Sequence, residues 1–415
     1  MKLNAIQLEK SPLDAQMVRL SANVSYNTTP SKTEIFWVDF PKELENSISL
    51  SGNGWLSILL PLAMYINEPL FIDAPVDPQH LENTKQLIQI WKAWYPHLHI
   101  IPVVASNTGY KPHHDKKKIL AFYSSGIDSN FTLVRHNYFK DNAVEPKIDE
   151  TMILWGFDIP LNNKEAYERK QNRIKIIEDL FNVKHFSVTT NMKTETRIRE
   201  ARWDYLIHGA LLAGFSLFLE KRYKEVLIPS TGGYKDLCYW GSHVLTDHLH
   251  STSDTTVIND GAEFNRPDKC KEMLICPDLL DIMHVCNKSS SDINCGHCEK
   301  CLRTLVVFDL MGELDACKNA FNLNYYKVAK IAGIKILSFY GKYNWKLIRK
   351  MAVERNRHDI ERAVNKAIAR NKRIIHTYNN CKRLSRHPLL WRFASAMKDH
   401  LEKKYDLHSE SVDYD

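Results

Sequence analysis

No stretch of the sequence is long and apolar enough to cross a membrane. The longest apolar run, around Trp55–Ile66, is interrupted by Pro61 and is shorter than the roughly 20 residues that a bilayer requires. The N-terminal sequence MKLNAIQLEK also lacks the apolar core of a signal peptide. We therefore expect a cytoplasmic protein that has no membrane partner.

Length and composition are those of an ordinary globular protein. The 415 residues are 44% hydrophobic and 25% charged, which predicts two or three domains. The net charge of +7 is unevenly placed, because residues 331–415 carry about +10 and the rest about −3. A basic terminal region is able to bind nucleic acid. The alternative is a solvated helix face.

The segment Lys116–Arg135 organises the centre of the chain. Residues Ile119–Tyr123 are apolar or aromatic and predict a buried strand of a parallel sheet. The sequence SSGIDS, Ser124–Ser129, follows directly, and a helix is expected to begin near Asp128. The unpaired N–H groups and dipole of a helix N-terminus attract anions, and Gly126 lets the backbone approach one closely. This pattern predicts a phosphate site, with a Ser/Asp helix cap as the alternative.

The same hexapeptide resembles the S-G-G-x-D-S loop of the PP-loop ATP pyrophosphatases, which split ATP into AMP and pyrophosphate. It is not a Walker A loop, because the G-x-x-x-x-G-K-[ST] spacing is absent. Ser125 stands where the family pattern has its first glycine. The resemblance implies that the whole loop binds ATP through Ser124, Ser125, Gly126, Ile127, Asp128 and Ser129.

Strands and helices alternate after this loop. Apolar strands are predicted at Thr151–Asp158, His185–Thr189 and Glu225–Pro229, and helices at Asn163–Phe181 and Trp203–Leu219. Such alternation predicts an α/β fold with a doubly wound parallel sheet and right-handed crossovers. Ligands bind such sheets beyond the carboxyl ends of the strands. Four loops are therefore expected on one rim: Ser124–Ser129, Asp158–Leu161, Thr189–Thr196 and Ser230–Asp236.

The regions on either side of this central domain, residues 113–324, predict different structures. Residues 1–112 are expected to form an N-terminal α/β extension that is structural or recognises a protein partner. Its predicted elements are strands at Glu34–Phe40, Pro69–Asp73 and His99–Val104 and helices at Asn53–Asn67 and Asp77–Tyr95. Residues 325–415 are expected to form a basic helical appendage, with helices at Tyr326–Leu337, Asn344–Arg355, His358–Tyr378 and Leu389–Tyr405.

Four of the nine cysteines have the spacing C-x8-C-x2-C-x2-C, at Cys286, Cys295, Cys298 and Cys301. Cysteines two residues apart on a tight turn present their sulfurs to one ion, and four thiolates complete the tetrahedral set of a structural zinc site. An iron–sulfur cluster and unligated buried thiols are the alternatives. Cys276 is a possible substitute ligand. The other cysteines are interpreted as core residues: Cys238, Cys270, Cys317 and Cys381.

A PP-loop followed by these cysteines resembles the 7-cyano-7-deazaguanine synthases over residues 117–315. That family combines a HUP-like ATP-binding fold with a structural zinc site, and its C-G-x-C-x-x-C-x-x-R sequence has a close counterpart at Cys295–Arg303. The family's F-D-Y-G-Q segment is matched only at Phe157 and Asp158. The loop that reads the deazapurine in that family is Ser230–Asp236 here and differs, which leaves the acceptor open.

The resemblance implies that ATP activates an acceptor oxygen as an adenylate, and that a nitrogen nucleophile then displaces AMP. Asp128 is expected to orient the loop or hold Mg²⁺, although it is as well placed to cap the helix. Lys269 and Arg266 are expected to neutralise phosphate charge, with an ordinary surface position as the alternative. Asp158 is expected to contact the nucleotide.

Other polar residues give weaker indications of function. His208 lies among apolar residues and is interpreted as a core histidine on a helix that flanks the nucleotide pocket. Lys235 and Asp236 lie on the predicted rim, where ordinary loop polarity explains them. The loop with His243, Asp247, His248 and His250 is expected to cover the substrate, and a second metal site is the alternative.

Three functions compete at this stage. The first is an AMP-forming, ATP-dependent ligase, whose acceptor is a small molecule or a macromolecule modified in anti-phage defence. The second is a tRNA-thiolating enzyme that grips RNA through the basic C-terminal region. The third is a nucleotide-binding scaffold without catalytic activity, docked through residues 1–112 in a complex of several proteins.

Overall fold

The computed structural model describes residues 1–27, 32–106, 110–112, 118–138, 146–286, 292–336, 339–385 and 390–405. The chain divides into two compact units. The first consists of Met1–Asn265 with Ser290–Asp292, and the second of Arg266–Ser289 with Ile293–Asp415. These units do not coincide with the three predicted parts, whose boundaries stay a prediction.

A ten-stranded sheet forms the centre of the first unit, in the order β10-β9-β6-β7-β8-β3-β2-β1-β4-β5. The neighbours β1/β2, β2/β3 and β3/β8 are antiparallel, and the other neighbours are parallel. The strands are β1 (Lys2–Lys10), β2 (Met17–Tyr26), β3 (Lys32–Pro41), β4 (Leu70–Pro75), β5 (Val103–Ser106), β6 (Lys118–Phe122), β7 (Glu150–Trp155), β8 (Lys184–Thr190), β9 (Tyr223–Pro229) and β10 (Thr256–Asp260).

The parallel half confirms the predicted α/β class. From β6 the chain adds β7 and β8 on one side and then β9 and β10 on the other, so that the strand order reverses between β6 and β9. This order is compatible with a doubly wound sheet. The four predicted central strands are present. β10 was not predicted, because only Val257 and Ile258 interrupt its polar surroundings.

The helices of the first unit pack on this sheet. They are α1 (Asn53–Ile66), α2 (Pro78–Trp94), α3 (Ile127–Leu133), α4 (Lys164–Ile174), α5 (Ile177–Phe181), α6 (Met192–Glu195) and α7 (His208–Leu217). The single helix predicted at Asn163–Phe181 is wrong, because a tight turn in which Glu178 N–H donates to the Lys175 carbonyl (3.0 Å) divides it. The helix predicted from Trp203 begins with a π-helical turn, Trp203–Ile207, before α7.

The N-terminal residues do more than form a separate extension. β1, β2 and β3 form an antiparallel meander that joins the parallel half through only two residue pairs of β3 and β8, Val38 with Thr190 and Asp39 with Thr189. The predicted succession of helices and strands missed β1 and β2. Polar residues occupy most of β1, and its side chains are largely exposed, so the apolar alternation on which strand prediction depends is weak there.

The second unit is helical. Its helices are α8 (Arg266–Met273), α9 (Pro277–Asp281), α10 (Glu299–Met311), α11 (Phe339–Glu354), α12 (His358–Leu384) and α13 (Trp391–Tyr405). The helix predicted at Tyr326–Leu337 is wrong, because its described part holds a short 3₁₀ turn, Val328–Gly333. Glycine at the end of that turn disfavours a longer helix; Leu337 and Leu389 lie outside the described residues. Within the described part of the chain, every helix is too short or too polar to traverse a bilayer.

Candidate functional site

An open cleft of about 210 Å³ lies at the carboxyl ends of β6, β7 and β9, where the strand order reverses. Loop residues form its polar side, and strand and helix residues form its apolar side. It is lined by Phe122, Tyr123, Ser124, Gly126, Asp128, Ser129, Met152, Ile153, Leu154, Phe157, Asp158, His208, Leu212, Ile228, Pro229, Thr231 and Ser242. The first unit alone contains all of these residues.

The serine loop, Ser124–Ser129, is held in shape by its own hydrogen bonds. Ser129 Oγ accepts from the Ser124 N–H (3.2 Å) and lies 3.3 Å from Ser124 Oγ, which accepts from the Gly126 N–H (3.3 Å). Ser124 is exposed and Asp128 half-buried, whereas Ser129 is buried. The loop therefore presents hydroxyl and carboxylate groups to the cleft on a preformed backbone.

Ser125 has a left-handed backbone, with φ of +60°. This is the position at which the PP-loop pattern has a glycine, the residue that adopts such angles without strain. The Ser125 side chain is fully buried and donates from Oγ to the Ser124 carbonyl (2.6 Å). Ser125 thus adopts a backbone conformation that glycine adopts without strain.

Helix α3 begins at Ile127 and is fixed from behind. Asn130 Nδ2 donates to the Ser125 carbonyl (3.2 Å), and Thr132 Oγ1 donates to Asp260 (2.7 Å) at the end of β10. His136 Nε2 lies 2.9 Å from the same carboxylate. Burial acts to raise the pKa of Asp260, but the contacts with His136, Arg135 and Thr132 outweigh it and lower that pKa. These contacts at Asp260 fix the helix that follows the loop to the end of β10.

Three of the four predicted rim loops line the cleft, and the loop after β8 does not. That loop instead joins the two halves of the sheet, because Asn191 accepts from the Trp37 N–H (3.1 Å) and donates to the Ile35 carbonyl (2.9 Å). It reaches the cleft wall only through Lys193, whose Nζ donates to the Phe157 carbonyl (2.9 Å). The rim prediction failed here because β3, an antiparallel neighbour, uses the end of β8.

The structure differs from two further predictions, those for His208 and for the loop with His243, at the wall of the cleft. His208, interpreted as a core histidine, is half-buried and lines the cleft. The loop with His243, Asp247, His248 and His250 contributes Ser242 to the lining, but among the described residues those four form no metal-binding cluster. Asp247 accepts from Ser242 Oγ (2.6 Å), and His250 Nδ1 lies 3.0 Å from Ser57 Oγ on α1. Lys235 is exposed outside the lining.

Asp247 holds the Ser242 side of the cleft and was not recognised as such from the sequence. Its carboxylate is fully buried and also accepts from the His243 N–H (3.0 Å) and from Asn259 Nδ2 (2.8 Å). Burial raises the pKa of Asp247 to about 6, against these hydrogen bonds.

Lys170 is a second residue that sequence reasoning missed. It lies on α4 within a charged helix and is nevertheless almost fully buried. Burial lowers the pKa of its ammonium group, while the carboxylates of Asp158 and Asp292 act in the opposite direction. Asp158 is exposed on the cleft rim, so the buried Lys170 interacts electrostatically with a residue of the cleft. A lysine on the apolar stripe of the helix, four residues before Ile174, was the available signal.

The four predicted cysteines of the second unit come together. Their sulfurs lie within 4.8 Å of one another, with Sγ–Sγ distances of 3.9 Å for Cys286/Cys298 and for Cys295/Cys301. These distances exclude disulfides, which need about 2.05 Å. Sulfurs held about 2.3 Å from one zinc ion lie about 3.8 Å apart in a tetrahedron. The cluster therefore has metal-binding geometry. Cys276 is not part of it.

The backbone of this cysteine cluster is fixed by Asn294 and Gly296. The buried Asn294 accepts from the N–H groups of Val285 (2.9 Å) and Cys286 (3.1 Å), and its amide donates to the Met283 carbonyl (2.8 Å) and the Ala320 carbonyl (3.0 Å). Gly296 has φ of +69°, which a knuckle between two cysteines requires. Asn294 was missed because an isolated asparagine has no distinctive pattern.

Crowding favours the protonated form of two of the four thiols, those of Cys298 and Cys301. The hydrogen bond with Cys286, together with burial, raises the pKa of Cys298 to about 12, and contacts with Cys286 and Cys298 raise the pKa of Cys301 further. A divalent cation reverses this preference, because it binds thiolates and releases their protons.

Arg266 and Lys269 lie on α8 in the second unit, and both are buried. An ordinary surface position is therefore wrong for them, while their predicted role at the phosphates stays a prediction. Of the cysteines assigned to the core, Cys270 and Cys317 are buried, whereas Cys238 and Cys381 are partly exposed.

Comparison with protein-family models, with curated proteins and with solved structures finds no match for this chain. The resemblance to the PP-loop pyrophosphatases and the deazaguanine synthases therefore rests on the residues of the serine loop and the cysteine cluster alone.

Proposed function

We propose that the protein is an ATP-dependent ligase that forms AMP and pyrophosphate, in the manner of the PP-loop ATP pyrophosphatases. The observation that carries the proposal is the position of the serine loop, where the strand order reverses. Two serine side chains, a carboxylate and the first residues of α3 face one cleft there. In a parallel sheet this is the position at which ligands bind.

The cleft divides into parts that match the parts of ATP. Met152, Leu154 and Ile228 give it an apolar wall suited to a flat adenine ring, and His208 adds an aromatic edge. Ser124 and Ser129 would donate hydrogen bonds to the pyrophosphate, and Gly126 brings the backbone close to it. Catalysis would then come from fixing the phosphates while the acceptor oxygen attacks the α-phosphorus.

Two carboxylates face the same cleft, and each would have a role in the reaction. Asp128 would hold Mg²⁺, which prefers carboxylate and phosphate oxygens and offsets the charge of the leaving pyrophosphate. Asp158, near the ammonium group of Lys170, would orient the ribose or the acceptor. The acceptor itself, a carboxylate or amide on a small molecule or a macromolecule, is not identified by the lining.

The cysteine cluster would hold zinc. Its four sulfur donors suit a soft or borderline ion in tetrahedral geometry, and all four positions are filled by protein, as in a structural site rather than a catalytic one. We assign it the role of stabilising the second unit.

A tRNA-thiolating enzyme is less well supported. Some thiolases use a catalytic pair of cysteines outside the metal site, but Cys270 and Cys276 are buried. Burial also raises the pKa of Cys238 to about 11, which keeps that thiol protonated at neutral pH. Cys270, Cys276 and Cys238 are therefore poor candidates for a catalytic thiol.

Calorimetric titration with Mg²⁺ and ATP tests the nucleotide site. The double variant Asp128→Asn with Ser129→Ala should bind ATP at least tenfold more weakly, because each lost charged or polar contact costs about 1.5–3 kcal/mol. Ser25→Ala, on a partly exposed position of β2, is the matched control and should bind normally. Equal affinity in the double variant and the wild type would remove the proposed site.

Exchange of labelled pyrophosphate into ATP tests the chemistry. Carboxylate and amide acceptors, both small molecules and proteins, are screened with the wild type and the double variant. Exchange that requires an acceptor and is lost in the variant supports the ligase. ATP binding without exchange for any acceptor favours the scaffold instead.

A further inference from the structure

Helix α12 lies in a stretch of the chain whose lysines and arginines have no acidic counterparts. Residues 362–398 contain neither aspartate nor glutamate. Their ten cationic residues are Arg362, Lys366, Arg370, Lys372, Arg373, Lys382, Arg383, Arg386, Arg392 and Lys398. The neighbouring α11 instead pairs Lys350 with Glu354, four residues apart, at 3.9 Å. Like charges at this spacing destabilise a helix, so the pattern of α12 does not serve the stability of the helix itself.

Three of these cations form a stripe along the exposed face of α12, named here the α12 stripe: Arg362, Lys366 and Arg373. Positions i, i+4 and i+11 lie on the same side of an α-helix, and all three side chains are exposed. At about 1.5 Å per residue, the stripe extends for about 16 Å along the helix axis. Within the described part of the chain, the three side chains form no ion pair.

The two acidic residues in the first turn of α12 have partners of their own. Asp359 pairs with Arg357 at 3.0 Å, and a Glu361 carboxylate oxygen lies 3.2 Å from His358 Nδ1. Neither carboxylate therefore neutralises the stripe.

The other face of α12 is used up by the fold. Its apolar residues, among them Ile360, Val364 and Ile375, are buried within the second unit. A helix that binds a bilayer surface needs an exposed apolar face, and interfaces between proteins are depleted in lysine. Interfaces with nucleic acids are much more positively charged than interfaces between proteins. The stripe is therefore complementary to a phosphate backbone.

We propose that the α12 stripe binds the phosphate backbone of a nucleic acid, independently of base sequence. Along one strand of a duplex, phosphate charges recur about every 3.4 Å of the axis, so a stripe of about 16 Å spans about five of them. DNA and RNA share this phosphate chemistry, and the probes below distinguish them. The site belongs to the second unit and does not require the adenylation chemistry proposed for the first.

Fluorescence anisotropy of the full-length protein without ATP tests the proposal. The labelled probes are duplex DNA, duplex RNA and single-stranded RNA, all of mixed sequence. The wild type should bind at least one probe at about 50 mM salt, and log Kd should rise linearly with the logarithm of the salt concentration. The triple variant Arg362→Gln, Lys366→Gln and Arg373→Gln should bind that probe about tenfold more weakly or worse, with a slope smaller by about 2–3, because three phosphate contacts are lost.

Two controls separate the stripe from net charge and from folding. Lys10→Gln with Lys42→Gln and Lys85→Gln removes three exposed lysines of the first unit and should leave affinity and slope close to those of the wild type. Arg362→Lys with Arg373→Lys keeps the charge and should keep the salt dependence. Glutamine is a good helix former, so circular dichroism of the stripe variant should match the wild type.

Failure of the wild type to bind any of the three probes overturns the proposal, as does a stripe variant with wild-type affinity and slope. Vesicles of phosphatidylserine and phosphatidylcholine test a bilayer, because Phe393 on α13 is 73% exposed. Binding to these vesicles and to none of the probes would also overturn it. Since ATP is absent throughout, the proposed ligase and the nucleic-acid site can fail independently.

Discussion

The serine loop of the first unit and the cysteine cluster of the second are formed by different means. The loop is complete without a ligand, since hydrogen bonds among Ser124, Gly126 and Ser129 and the anchoring of α3 to Asp260 already fix it. The cluster brings together four thiols, and the contacts among them raise the pKa of Cys298 and of Cys301. The loop is preorganised without a ligand, whereas the cluster has a geometry that a bound cation would complete, so removal of a cation should affect the two sites unequally.

Metal removal gives the largest expected difference between the two. Chelation, or Cys298→Ala, should unfold much of the second unit, because zinc bound by four cysteines contributes about 10–16 kcal/mol in zinc-finger peptides. Limited proteolysis with metal analysis checks this. The control is Cys381→Ser, which changes a partly exposed cysteine outside the cluster.

If the serine loop and the cysteine cluster form independently, the first unit should bind ATP equally well before and after chelation. A chelated protein that keeps its full melting transition and resists proteolysis would mean that the cysteine cluster does not depend on a cation.

The sheet that carries the serine loop is expected to lose stability at acidic pH. Glu150, 1% exposed at the start of β7, accepts from Arg222 (2.8 Å), Tyr223 (2.5 Å) and Lys118. Burial opposes ionisation, but these donors outweigh it and lower the pKa of Glu150 to about 2 from 4.5. A lowered carboxylate pKa stabilises the fold above the unfolded value, and that stability is lost as pH falls through the folded value.

Acid unfolding should therefore lose about 3 kcal/mol of the first unit's stability between pH 4.5 and 2. Glu150→Gln should be destabilised by a similar amount at pH 7 and should lose this part of the pH dependence. Thermal melts at several pH values measure both. Metal release from the cysteine cluster is expected at higher pH, because thiolates are protonated first. A Glu150→Gln protein with the wild-type pH profile would contradict the assignment.

Asn294 supports the backbone of the cysteine cluster, and its substitution tests how far the cluster depends on that support. Asn294→Ala removes four hydrogen bonds and leaves the N–H groups of Val285 and Cys286 buried without acceptors, at about 1–3 kcal/mol. The melting temperature of the metal-bound second unit should fall, and metal affinity should decrease roughly tenfold. Asn322→Ala, at a local turn that caps Leu323–Tyr325, is the control. Unchanged metal affinity would show that the four sulfurs suffice without this support.

The two sites also differ in how far the sequence predicted them. Cysteine spacing identifies a candidate ligand set directly, and the four predicted cysteines lie together in the structure. The serine loop was placed correctly after β6, but its rim depends on which strands are neighbours. The pairing of β3 with β8, across more than 140 residues, took the loop after β8 out of the cleft. Local patterns carry no information on such long-range pairs, and for the same reason Lys170 and Asp247 were missed.

Substitution of Ser125 has the smallest expected effect. It tests whether backbone shape or side-chain contacts preorganise the loop. Ser125→Gly relieves the strain of a left-handed serine, about 1 kcal/mol, but loses the bond from Oγ to the Ser124 carbonyl. The two effects nearly cancel, so stability should change by less than about 1 kcal/mol and ATP affinity should stay within a factor of two. The matched variant Ser125→Ala keeps the strain and loses the bond, so it should be less stable than Ser125→Gly. If the alanine and glycine variants melt together, well below the wild type, the hydroxyl rather than the backbone angle holds the loop.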